Sequence, residues 1–241
     1  MPDSLFITRT EAFRDAVSSL RFSFDGVVMN PLEYAWDMFL AYEDIALSGD
    51  DEVLFLGMNP GPDGMMQTGV PFGARSVVRD YLGLTGEVGR PVHEHPARPV
   101  TGFGGRRDEP SGRAFWSMIR RLYPDCHDFF SFATVQNFCP LAFLERERGR
   151  NVTPDKLVRS ERKLLEDVCL DYLCFIIDHY RMGKAVAIGN YAYDQLVRTG
   201  CRKVVKILHP SPINPAAHRV WAREGRQVSE YLFKEGILDR S

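Results

Sequence analysis

The 241-residue chain is poor in the features that mark several large functional classes. It has no GxxxxGKS/T loop, and GxGxxG is not matched in its glycine-rich stretch, so generic phosphate or dinucleotide binding has little support. Five cysteines (Cys126, Cys139, Cys169, Cys174, Cys201) form no CxxC pair and leave an odd one, which argues against a disulfide framework or an iron–sulfur cluster. They read as reduced core residues; a metal cluster using Cys169 and Cys174 is the sharper alternative. No segment approaches the roughly 18 consecutive apolar residues of a membrane span. The start, MPDSLFITRTEAF, lacks the basic region and apolar run of a secretory signal, so a cytoplasmic protein is expected. Repeats, low-complexity tracts and obvious linkers are also missing, and one domain over residues 1–241 is expected, with a monomer as the simplest state.

Net charge is low as well, at -2, but it is unevenly spread. Residues 1–52 carry eleven Asp/Glu against three Lys/Arg, and residues 198–241 carry nine Lys/Arg against four Asp/Glu. Arg106, Arg107, Arg113, Arg120 and Arg121 add to the basic side. A chain of this kind can present a basic surface to a polyanion such as DNA while its acidic face stays in water. Solvated charge with no partner is the alternative.

What the chain does have is LGMNPGPDGMMQTGVPFG at residues 56–73, with five glycines and three prolines around a single asparagine. Glycine permits close approaches that a Cβ forbids and proline freezes φ, so the loop is tightly bent and rigid. It follows an apolar run at 53–57. Similar short runs at 134–138, 185–189 and 204–208 read as strands, each followed by a turn. Helices are expected from Asn30, an N-cap before Pro31, to about Leu47; from Thr153 through Arg181 with a break; from Asn190 to Gly200; and over roughly Glu11 to Arg21. Helices between near-continuous apolar strands imply right-handed crossovers and a parallel sheet covered on both faces, an α/β sandwich.

Ligands of such sheets bind beyond the carboxyl ends of the strands. Asn59 follows the first strand, Asn137 lies near the end of the second, and His209 opens the rigid HPSPINP segment after the last. The topology therefore brings three polar side chains to one edge. Each has a simpler reading: Asn59 as a turn former, Asn137 as a partner for nearby backbone, His209 as a structural histidine.

The stretch GMNPGPDGMMQTGVPFG, followed by NFCPL at 137–141 and HPSPINP at 209–215, resembles the single-strand-selective monofunctional uracil-DNA glycosylase family of the uracil-DNA glycosylase superfamily. The similarity runs from about Val53 to Leu238 and includes EHPARPV and GRNVTP. It implies a three-layer α/β/α sandwich around a four-stranded parallel sheet. The activity it implies is removal of uracil, and of oxidised pyrimidines such as 5-hydroxymethyluracil, from single-stranded or duplex DNA. No metal or other cofactor is implied.

By the same resemblance, Asn59 handles the attacking water and His209 faces the base near O2, the two catalytic assignments. Phe72 stacks on uracil, Asn137 reads its edge, and Met58, Gly61 and Met65 line the pocket, the last two near C5. Ser211, Pro212, Ile213, Asn214 and Arg219 belong to the segment that meets DNA. Asp63 stands where an aromatic is familiar and Ile213 where an arginine is familiar. Ile213 is a candidate wedge between bases, with packing in its own loop as the alternative. His93 and His95 suggest a metal pair only until EHPARPV is seen to resemble a family loop. The competing functions are a catalytically idle DNA-damage-binding module of the same fold and another hydrolase of nucleosides or nucleotides.

Overall fold

The computed structural model describes residues 2–49, 52–212 and 214–239. Its central sheet is built from β2 (Val53–Gly57), β3 (Ala133–Asn137), β6 (Lys184–Ile188) and β7 (Lys203–Ile207), in the order β3-β2-β6-β7. All three pairings are parallel, with Gly57 opposite Asn137 and Ile188 opposite Ile207. The carboxyl ends of the four strands therefore align along one edge.

Alternation along the strands divides the core. Val53, Phe55, Val135 and Val186 point to one face with Phe115, Trp116, Phe129, Phe130 and Leu232. Those partners come from α6 (Pro110–Leu122), α7 (Cys126–Phe130) and α11 (Ala222–Lys234). Leu54, Leu56, Ala185 and Ala187 face the other way, onto Phe6, Phe13, Leu165 and Cys169. That layer consists of α1 (Ser4–Ser19), α8 (Arg159–His179) and α9 (Asn190–Leu196). Leu165, Cys169, Leu173 and Ile176 recur at helical spacing along α8, which is why so long a helix lies flat on the sheet.

Several expected boundaries shift. The first helix starts at Ser4, where the Asp3 side chain accepts from the Phe6 N–H at 2.9 Å, rather than near Glu11. Asn30 does cap Pro31, but the following helix breaks at Ala35 into α2 (Pro31–Tyr34) and α3 (Trp36–Ala46). Asn190 is the first residue of α9, preceded by Gly189 at φ 100°, and does not itself cap it. The residues after Thr153 form a 3-10 turn, Pro154–Lys156, before α8 begins.

A second, antiparallel sheet of β1 (Gly26–Met29), β4 (Ala142–Glu145) and β5 (Asn151–Val152) was not expected. Its strands are too short for periodicity to separate them from loop. The five cysteines are free, with Cys126, Cys139 and Cys169 buried and Cys174 and Cys201 only half-buried, a partial departure from the expected core placement. Among the described residues, no helix is long and apolar enough to cross a membrane.

Phe55 is fully buried and packs edge-on to Phe115 at a 5.7 Å ring separation. Replacing it with alanine leaves a cavity at the centre of one layer, so Phe55→Ala should destabilise the fold by about 3–5 kcal/mol. Urea unfolding should show a lower midpoint with an unchanged slope.

Candidate active site

At the aligned strand ends lies a cavity of about 610 Å³, within the size range of ligand sites. Met58, Asn59, Gly61, Phe72, Asn137 and His209 all line it, together with Ser211 and Pro212 at its rim. The three polar side chains expected to meet at the strand ends do share one space.

Its floor depends on Gly57. A Cβ there would strike the Phe72 ring and lie 2.5 Å from Asn137 Oδ1, so only glycine lets ring and amide stand together over the end of β2. Phe72 itself is buried and holds a left-handed φ of 52°, an uncommon backbone for a non-glycine residue. Such a conformation persists only where its surroundings fix it. Phe115 does so from below at 5.4 Å, while His209 lies 6.1 Å away across the cavity.

The loop that carries Asn59 is tied in from several sides. Asn59 Nδ2 donates to the Leu141 carbonyl at 3.3 Å, which turns the amide oxygen away from that contact and leaves it as the acceptor for a ligand or water. The Cys139 N–H donates to the Met58 carbonyl at 2.9 Å, extending the β2–β3 pairing past the strand ends. Farther along, Met65–Thr68 forms the short helix α4. Gln67 fastens it: its amide donates to the carbonyls of Pro62 (3.0 Å) and Pro99 (3.1 Å) and accepts from the Thr101 N–H (2.9 Å). Asn137 Nδ2 donates to Met65 Sδ at 3.2 Å, which fixes the amide with its donor end toward α4.

His209 is half-buried, and burial lowers its pKa to about 4, so the ring is neutral near pH 7. It can donate a hydrogen bond but carries no charge of its own. Asp63 also faces the cavity, and Arg98 from the EHPARPV segment holds it at 3.3 Å. The charge expected beside the loop is thus paired.

A sequence model of the Uracil DNA glycosylase superfamily matches residues 47–230. The single-strand selective monofunctional uracil DNA glycosylase of Bos taurus is 41% identical over 239 residues, covering 97% of this chain and 86% of its own length. That of Rattus norvegicus is 42% identical over 212 residues, covering 86% of this chain and 76% of its own. The chain belongs to the single-strand selective monofunctional family of this superfamily. The structure of Pedobacter heparinus SMUG2, 17% identical, superposes with a TM-score of 0.66 over 98% of this chain and 99% of its own, which shows the shared fold.

Relative to this family's motifs, sequence reasoning passed over four cavity residues: Arg98, Glu109, Asn151 and Thr153. Arg98, Asn151 and Thr153 sit in segments noticed only for their likeness. Glu109 directly precedes α6, whose apolar Phe115, Trp116, Met118 and Ile119 carry a legible helical spacing that would have exposed it.

The residues expected to meet DNA are spread along the rim and beyond it. Ser211 is half-buried, Pro212 and Asn214 are exposed, and Arg219 is exposed on α10 (Pro215–Val220). Asn214 caps α10 by accepting from the Ala216 N–H at 2.9 Å, and Trp221 Nε1 donates to the Leu208 carbonyl at 2.8 Å, anchoring this segment beside the cavity. Ile213 lies outside the described residues. His95, from the considered histidine pair, is buried, with one ring nitrogen 2.9 Å from the Arg146 carbonyl and the other accepting from Ala97, while His93 is exposed.

The depressed His209 pKa has a consequence for stability. Between pH 6.5 and about 4 the unfolded histidine binds a proton that the folded one refuses, so acidification through this window favours unfolding. Above pH 6.5 the effect vanishes. His209→Asn should therefore flatten the decline of unfolding free energy between pH 6.5 and 4, measured by urea titrations of both proteins; parallel curves would show that the ring protonates freely in the native state.

Proposed function

We propose that this chain hydrolyses the N-glycosidic bond of uracil in DNA, leaves an abasic site for base excision repair, and acts also on pyrimidines with an oxidised C5 substituent such as 5-hydroxymethyluracil. The observation that carries the reading is the convergence of Asn59, Phe72, Asn137 and His209 on one cavity at the sheet edge. The names of the relatives, as uracil DNA glycosylases, support the same substrate. A cavity of about 610 Å³ has room for one base withdrawn from the stack and its sugar.

In this reading the base lies on Phe72, an apolar surface for its flat face. Asn137 accepts from N3–H through Oδ1 and donates to O4 through Nδ2. Cytosine presents the opposite pattern at these atoms and would leave buried groups unpaired, at about 1–3 kcal/mol each. As the C–N bond breaks, its electron pair moves onto the base and collects in part on O2. Neutral His209 donates a hydrogen bond there, which stabilises the transition state more than the ground state. Asn59 cannot ionise usefully and so acts by position: its free carbonyl oxygen accepts a hydrogen bond from a water and holds it against the anomeric carbon. The water oxygen bonds to that carbon and its proton passes to solvent. The basic segment around Arg219 attracts the phosphates, with affinity that falls as salt rises.

The test is direct. Oligonucleotides with a single uracil, single-stranded and duplex, are incubated with the protein and abasic sites are cleaved with alkali. Strand breaks at the uracil are expected. Binding without cleavage by folded protein would favour the idle damage-binding module instead.

Two sets of variants resolve the roles. His209→Ala and Asn59→Ala should each lower the single-turnover rate about 10²–10³-fold with DNA affinity retained, since each group acts on the transition state. Asn137→Asp presents two acceptors, so uracil excision should fall and the preference for uracil over cytosine shrink. Unchanged discrimination would transfer base reading to the backbone.

A further inference from the structure

Glu109 borders the cavity at the start of α6, yet no step described above uses it. Its carboxyl occupies a cradle of three glycines. A Cβ on Gly61 would run into Oε1, one on Gly64 into Oε2, and one on Gly112 would come within 2.8 Å of Oε2. Oε2 is sealed from solvent and has no hydrogen-bond partner. The nearest basic side chain on the cavity wall, Arg98, is committed to Asp63 at 3.3 Å, and Asp108 is taken up by the Ser76 hydroxyl. Buried polar groups are almost always paired in native structures, and a carboxyl oxygen left without a partner on a ligand cavity is an acceptor awaiting one.

The proposed orientation of the base says which atoms reach it. Asn137 Nδ2 points toward Met65, so O4, its acceptor, lies on the α4 side of the cavity. His209 takes O2 at the opposite end. Going round the ring from O4, away from O2, the next position is C5. The C5 edge therefore faces the turn from Gly61 to Met65, where the Glu109 carboxyl sits.

We propose that Glu109 receives the C5 substituent of the extruded pyrimidine and sets the enzyme's selectivity among C5-substituted uracils. The inference rests on the base orientation given under the proposed function. A 5-hydroxymethyl group ends in a hydroxyl that donates to the carboxylate, filling the vacant acceptor. A methyl group at the same place would cover the carboxyl with carbon and leave it buried and unpaired. Uracil itself, with only hydrogen at C5, leaves room for a water. Burial, with Asp63 and Asp108 nearby, raises the Glu109 pKa to about 7. A hydroxyl suits both states, because it can donate to the carboxylate or accept from the acid.

The experiment compares single-turnover excision of uracil and of 5-hydroxymethyluracil from single-stranded oligonucleotides by the wild type, Glu109→Ala and Glu109→Gln, with a melting temperature for each. The readout is the ratio of the two rates, which a general loss of folding or catalysis does not move. Alanine should lower the 5-hydroxymethyluracil-to-uracil ratio about 10- to 100-fold, the range for a hydrogen bond to a charged group. Glutamine keeps the shape and one acceptor and should lower it less. Equal losses on both substrates, or an unchanged ratio in both variants, would overturn the assignment; if the alanine variant does not fold, an unchanged ratio in the glutamine variant alone does so. A wild type that excises uracil but discriminates against 5-hydroxymethyluracil as it does against thymine also overturns it, leaving the uracil activity standing. A wild type inactive on every substrate removes the proposed function itself, a distinct result.

Discussion

The pairing of Gly57 with Asn137 is the constraint on which the site depends. Parallel register puts the two residues side by side at the carboxyl end of the sheet, and the missing Cβ of Gly57 leaves the space that the Phe72 ring and the Asn137 amide both enter. A shift of one residue along β3 would turn Asn137 to the opposite face of the sheet and close the cavity with an apolar neighbour. The cost of keeping Phe72 in a left-handed conformation is met by the same packing, through Phe115 and the turn formed by Val70 and Gly73. Fold and site are thus one arrangement: the core beneath the sheet edge holds the floor of the cavity in place.

Electrostatics in the cavity follow from that enclosure. Burial neutralises His209, pairs Asp63 with Arg98 and raises the pKa of Glu109. In such a setting dipoles and hydrogen-bond donors act over short distances with little screening by water. A site that stabilises a departing anionic base through neutral donors is consistent with this charge balance, since an imidazolium is not needed. The basic groups of the chain lie elsewhere, on the segment from Asn214 onward, where solvent exposure suits contact with phosphates.

Much of this was legible from residues alone. The four strands of the main sheet were placed to within one residue, because each is a short apolar run ended by a glycine, an asparagine or a turn. Their order of use, strand then helix, carried the parallel topology. Asn59, Asn137 and His209 could be brought to one edge from that topology, without a contact being known. The antiparallel sheet of β1, β4 and β5 was not legible: Gly26–Met29 and Ala142–Glu145 are four residues each, and they become strands only by pairing across more than a hundred residues of chain.

The sequence by itself determined the α/β layering and the family, since hydrophobic period and motif are local properties written in consecutive residues. Only the tertiary structure decided that Arg98 neutralises Asp63, that Gln67 ties α4 to the Pro99–Thr101 backbone, and that Glu109 stands unpartnered among three glycines. These facts join segments tens of residues apart. Burial and charge pairing depend on what the rest of the chain places around a side chain, and no local pattern encodes that.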